Sequence, residues 1–132
     1  MKNQKHFTYA DKDWKLQDLK AETIEGSRIY DCPVGELPSV TTITGWKKRK
    51  FFAEWRIKNP KESTRVCRRG NLLHKTIEDY LNNKEINLSS IPPIETDMFM
   101  QMLPKLNLID NIYEIESPVW SKSMGIAGRV DC

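Results

Sequence analysis

The segment Lys122-Ser123-Met124-Gly125 does more than any other to limit what this chain can fold into. Runs of β-branched and apolar residues lie on both sides of it, at 112–121 and 126–132. A glycine closing so short a connection lets the backbone reverse, so the two runs read as an antiparallel hairpin. Gly125 and Gly128 further permit a bend and a close approach by another group. Each run carries a carboxylate, Glu116 in the first and Asp131 in the second. On antiparallel neighbours two inward carboxylates converge, and they repel unless a cation neutralises them. Oxygen ligands of this kind select Mg²⁺ or Mn²⁺. For Glu116, a solvent-facing place on an edge strand weighs as much as the metal role. For Asp131, between Val130 and Cys132, it weighs less.

A helical period dominates the middle of the chain. Val66, Leu73, Ile77, Tyr80 and Leu81 recur at helical spacing, which predicts a helix from Ser63 or Thr64 to about Asn82. Gly70, His74 and Glu78 are four apart and share one stripe of it. Gly70 leaves room for a backbone or a phosphate. His74 can offer a neutral imidazole to a divalent cation, which tilts the preference toward Mn²⁺. Glu78 can orient that imidazole. The plain alternative is a partly buried histidine beside a salt-bridged glutamate. Arg68 and Arg69, one turn earlier and suited to phosphate, weaken that alternative.

The rest of the chain divides as follows. Residues 1–26 are polar and without period, and predict an extended or loosely attached arm. Residues 28–31 form a strand candidate that turns at Pro33-Val34-Gly35-Glu36. Ser39 can cap a short helix, although the β-branched Val40-Thr41-Thr42-Ile43 suits a strand equally. Residues 50–58 read as a helix ended by Asn59-Pro60. A loop over 82–93 precedes another helix over about 95–110, kinked at Pro104.

Charge is concentrated rather than large. The chain of 132 residues carries +3, yet residues 46–75 hold eleven Lys and Arg against Glu54 and Glu62. That segment is therefore +9 and the remainder −6. Such an imbalance suits a polyanion, with a solvated helix face as the ordinary alternative. Trp46, Phe51, Phe52 and Trp55 interleave with these charges, and the reading favours the core for them over base stacking. Cys32, Cys67 and Cys132 are too scattered for a disulfide framework, which points to a reducing, cytoplasmic compartment. No apolar run has the length of a membrane span, so no membrane partner is expected.

Five segments occur in an order that resembles a known family. They are Leu37-Pro38-Ser39-Val40-Thr41-Thr42-Ile43, Phe52-Ala53-Glu54-Trp55-Arg56, Arg69-Gly70-x-x-x-His74-x-x-x-Glu78-x-Tyr80-Leu81, Glu116-Ser117-Pro118-Val119 and Gly128-x-Val130-Asp131-Cys132. Together they resemble the PD-(D/E)xK exonucleases of tailed bacteriophages. Those are similar to the mitochondrial genome maintenance exonuclease and to RecB-type nuclease domains. The resemblance covers about residues 28–132 and implies an α/β, restriction-endonuclease-like fold with helices packed on a mixed sheet. It implies phosphodiester hydrolysis with Mg²⁺ or Mn²⁺, mostly on single-stranded DNA ends, in phage DNA metabolism or recombination within the host cytoplasm. It makes His74 and Asp131 the metal ligands and leaves Glu116 as a further catalytic carboxylate. It brings Ser39, Thr41 and Thr42 near the DNA, beside the basic candidates Lys47, Lys48, Arg49, Lys50, Arg65, Arg68 and Arg69.

The family continues past the Val-Asp-Cys strand into a strand bearing Asp-x-Lys, whose lysine positions the attacking water. Asp13-Trp14-Lys15 and Asp18-Leu19-Lys20 have the right letters, but they fall in the polar arm and in the wrong order. The expectation is thus half a site, in a fragment, a split-gene product or a remnant, inactive until a second polypeptide supplies that strand. The competing classes are a non-catalytic nucleic-acid-binding module and a subunit that docks onto the missing half.

Overall fold

The computed structural model describes Met1 and residues 4–132 of a mixed α/β chain. It divides into two compact units. One combines residues 1–11 with 60–115 and Cys132, and the other combines 12–59 with 116–131.

The first unit is mostly helical. The strand β1 (Thr8–Tyr9) pairs in parallel with β5 (Asn111–Ile112). Helix α3 spans Pro60–Leu81 and α4 spans Pro93–Leu106. The long helix begins earlier than its apolar period indicates, because proline at a first helical position loses no hydrogen bond and already has helical φ. Its apolar stripe delivers Tyr80 and Leu81 into a core with Phe7, Ile86, Phe99 and Ile112. Tyr80 and Phe99 are wholly buried and meet edge to face, 5.5 Å between ring centres. The Tyr80 hydroxyl donates to Asn107 Oδ1 at 2.6 Å, so the buried polar end is satisfied. Beyond α3, Asn83 adopts left-handed φ of 59°. Its side chain accepts from the Phe7 N–H at 2.7 Å and donates to the Phe7 carbonyl at 2.9 Å. The segment around Phe7 is therefore bonded into this core, not the loose arm that its polarity suggests.

The second unit is mostly strand. β2 (Lys20–Ile24), β3 (Ser27–Cys32) and β4 (Gly35–Pro38) form an antiparallel meander. Glu25 and Gly26 make the first turn, both at positive φ, as a twisted two-residue hairpin turn requires. Ser39 then caps α1 (Val40–Gly45), so the helical alternative prevails over the strand. A single 3₁₀ turn (Trp46–Lys48) leads into α2 (Arg49–Lys58). The hairpin is present as β6 (Ser117–Ser121) and β7 (Ile126–Val130), with Gly125 at φ 64°. Leu19, Tyr30, Cys32 and Ala127 make a small core. Burial, reinforced by Asp31, pushes the Cys32 thiol pKa up.

Two expectations change here. The strand anticipated over 112–121 is split into β5 and β6, with Glu116 at left-handed φ of 52° just before β6. The strands also divide among three small sheets instead of one mixed sheet. Between β7 and the end of the meander, only the isolated Ser39–Ala127 bridge forms.

Candidate metal centre and nucleic-acid interface

The register of the hairpin sets the position of its two carboxylates. Ser117 opposes Val130, so the next residues outward are Glu116 and Asp131. Neither lies within a strand; they flank the open end. The Glu116 N–H donates to the Asp131 carbonyl at 3.1 Å and extends the ladder by one bond. The Arg129 guanidinium donates to the Glu116 carbonyl and, at 2.9 Å, to Asp18 Oδ1. The left-handed Glu116 backbone is thus held at both its N–H and its C=O. Carboxylate oxygens of Glu116 and Asp131 lie within 4.8 Å of each other. Two unit charges so close repel by roughly 1 kcal/mol in water and roughly 3 kcal/mol at an effective dielectric of 20. A cation between them turns that repulsion into attraction, and the donor set, two hard oxygens, fits Mg²⁺ or Mn²⁺.

On α3, His74 is exposed and Glu78 half-buried. Glu78 Oε1 accepts from Lys75 Nζ at 3.1 Å, and Lys75 also reaches Asp79 at 3.2 Å. These bonds raise the Lys75 pKa. Burial works to raise the Asp79 carboxyl, but hydrogen bonds from Lys84 and Lys75 outweigh it and hold it below the usual range. A Cβ at Gly70 would meet nothing within 4 Å, so no packing requires glycine there.

The basic candidates separate into engaged and open side chains. Arg49 donates to Ser27 Oγ at 3.1 Å and lies against Gly26. Arg65 is held by Glu62 in a two-point ion pair, and the Arg65 hydrogen bond draws the Glu62 carboxyl below its ordinary range. Arg69 bridges α3 to α4 through Glu95 at 3.3 Å. Lys47, Lys48, Lys50 and Arg68 are exposed and form no ion pair among the described residues. Arg68 lies in an open groove with Lys61, Arg65, Asn71 and Ser90.

Ser39 has a structural task. It is buried; its Oγ accepts from the Thr42 N–H at 3.0 Å and donates to Thr42 Oγ1 at 2.8 Å. Thr42 Oγ1 in turn accepts from the Arg28 N–H at 2.9 Å. Only Thr41 of the three hydroxyl candidates is exposed.

Sequence reasoning missed three things. Trp46 is 67%, Phe51 63% and Phe52 44% exposed, so these aromatics are not core residues. The basic run Lys47-Lys48-Arg49-Lys50 between Trp46 and Phe51 was the available signal, since a core helix segregates its charges to one side. Arg129 and Asp18 carried no pattern at all. Lys20, within the rejected Asp18-Leu19-Lys20, opens β2.

No protein-family model, curated protein or solved structure matches this chain. Among the described residues no helix is long and apolar enough to cross a membrane.

Proposed function

We propose that this chain belongs to a restriction-endonuclease-like, metal-dependent DNA exonuclease that hydrolyses phosphodiesters of single-stranded DNA. The observation that carries this reading is the approach of the Glu116 and Asp131 carboxylates at the hairpin's open end. Glu116 and Asp131 would hold Mg²⁺ or Mn²⁺, with His74 added by the family resemblance. A bound cation of this type supplies Lewis-acid stabilisation of the phosphate charge and eases deprotonation of a water. Arg129 fixes the backbone from which Glu116 projects. Arg68 and the open lysines supply salt-sensitive attraction for the DNA backbone.

Manganese binding to the full chain tests the reading directly. Paramagnetic resonance of Mn²⁺ should show one bound ion, lost in Asp131→Asn and weakened in Glu116→Gln. With an Asp-x-Lys polypeptide added, nucleotide release from end-labelled single-stranded DNA should require Mg²⁺ or Mn²⁺ and stop with chelator. Undiminished Mn²⁺ binding by the Glu116→Gln, Asp131→Asn double variant would remove both residues from the site. The second reading is a binding module without catalysis. The open cations Lys47, Lys48, Lys50 and Arg68 favour it, because they need no metal. Salt-dependent DNA binding with no bound Mn²⁺ would select it.

A further inference from the structure

Residues 46–58 present aromatic rings to solvent, outside both hydrophobic cores of the described residues. Trp46, Phe51 and Phe52 are exposed among the described residues, and the Phe51 and Phe52 rings meet edge to face at 5.3 Å. Leaving three rings in water forgoes the burial that ordinarily stabilises such residues. Apolar surface left out in this way marks a contact for something else.

Its surroundings state what that something is. Residues 46–58 hold six Lys and Arg against the single acid Glu54, a net +5. Lys47, Lys48 and Lys50 neighbour the rings in sequence and are exposed, without an ion-pair partner among the described residues. Trp46, Lys47, Arg49, Lys50 and Ala53 line one shallow depression, so the Trp46 ring shares a surface with the Lys47 and Lys50 ammonium groups, and Phe51 and Phe52 follow directly in the helix. An apolar partner face would leave those ammonium groups desolvated and unpaired, at a cost. A chain alternating flat rings with phosphates satisfies both. In a duplex the ring faces are stacked on one another, so the partner is single-stranded.

We infer that the Trp46–Phe52 surface is a base-stacking site for single-stranded DNA, with Lys47, Lys48 and Lys50 on the phosphates. It deepens the nuclease reading by adding a site that needs no metal. Ring stacking then sets the preference for single strands, while the lysines set affinity for any polyanion.

Fluorescence anisotropy with labelled oligo(dT), in chelator so that nothing is cleaved, tests it. An abasic oligonucleotide of equal length supplies the phosphates without the rings. Trp46→Ala and Phe51→Ala should each weaken oligo(dT) binding about 5- to 100-fold. They should leave abasic binding and the salt slope unchanged, and Trp46→Phe should retain most of the affinity. Lys47→Ala should weaken both ligands and flatten the slope of log affinity against log salt by about 0.7. Circular dichroism confirms that the variants fold, which their exposed positions favour. Parent-like oligo(dT) binding by the folded Trp46→Ala, Phe51→Ala double variant overturns the inference, as does equal loss on both ligands. Stronger binding to phosphatidylserine vesicles than to DNA, or self-association abolished by Phe51→Ala, assigns the surface to another occupant and also overturns it. Absence of Mn²⁺ binding by the parent chain, with stacking intact, would strike only the nuclease reading.

Discussion

The helical unit and the strand-rich unit of this chain both leave apolar residues in water, but they differ in how large a core they bury. The first sinks Tyr80, Phe99 and Ile112 completely and surrounds them with further half-buried side chains such as Leu73, Ile77 and Leu103. The second has four buried core residues, with Ala21 and Leu37 packed against them, and leaves Trp46, Phe51 and Phe52 in water. Yet the second carries the neighbouring carboxylates Glu116 and Asp131, and Lys47, Lys48 and Lys50, which form no ion pair among the described residues. Stability within one chain is not uniform, and binding surfaces draw on its less stable parts. The difference teaches that the helical unit holds shape, while the strand-rich unit is where the proposed ligand contacts fall.

Denaturation can break that comparison. Trp14, Trp46, Trp55 and Trp120 all belong to the strand-rich unit, so tryptophan emission reports on it alone. Ellipticity at 222 nm is dominated by α3 and α4. Emission should change at lower urea than ellipticity. Phe99→Ala should have the largest effect of any variant considered, about 3–5 kcal/mol, read from ellipticity. Leu19→Ala should cost about 2–3 kcal/mol, read from emission. If both variants move both probes together, the two units unfold as one.

Next in size is Arg129→Ala. It removes charge-assisted bonds to Asp18 and to the Glu116 carbonyl, in a side chain about one-third exposed. After discounting for solvent, the loss should be about 1 kcal/mol in the emission transition, with weaker Mn²⁺ binding and unaltered ellipticity. Unchanged Mn²⁺ affinity would separate Arg129 from the carboxylates.

The arginines of α3 sharpen the contrast between engaged and open charge. Arg68→Ala should flatten the salt dependence of DNA binding by about 0.7. Arg65→Ala should alter it less, because Glu62 already holds that guanidinium. An Arg65→Ala effect equal to that of Arg68→Ala would show that DNA displaces Glu62.

The smallest effect is a pH dependence confined to the helical unit. The Asp79 carboxyl is held low in the folded chain. Its contribution is therefore complete above the ordinary aspartate range near about 3.9 and disappears as pH falls through the lower folded value. Lys75 behaves inversely: its raised pKa contributes below the ordinary lysine range and is lost as pH rises through the folded value. Asp79→Asn should remove the acid arm of the ellipticity profile and leave emission alone. An unaltered acid arm would assign it to other carboxylates.

The elements that strong periodicity marks were legible in advance. Leu73, Ile77, Tyr80 and Leu81 give away α3, and Gly125 gives away the hairpin. Isolated apolar residues in polar surroundings were not. Phe7 and Leu19 each look like stray side chains until distant residues, Asn83 and Tyr30 among them, close around their cores. Convergence of Glu116 and Asp131 is one of two readings that the sequence offers for Glu116, but the break before β6 is hidden, because nothing in Ile115-Glu116-Ser117 announces a positive φ. The surface aromatics were misread because exposure depends on what the rest of the chain leaves uncovered, which no local pattern records.

That backbone angle at Glu116 has a consequence of its own. Left-handed φ strains any residue with a side chain, typically by about 1–3 kcal/mol, and glycine would relieve it. Glycine at this position is thus the more stable choice, and the chain holds a glutamate there. If Glu116 holds the cation as proposed, this position opposes two selections, one on thermal endurance and one on ligand capture. In a library varied only at residue 116, heat would enrich glycine and Mn²⁺ capture would enrich glutamate.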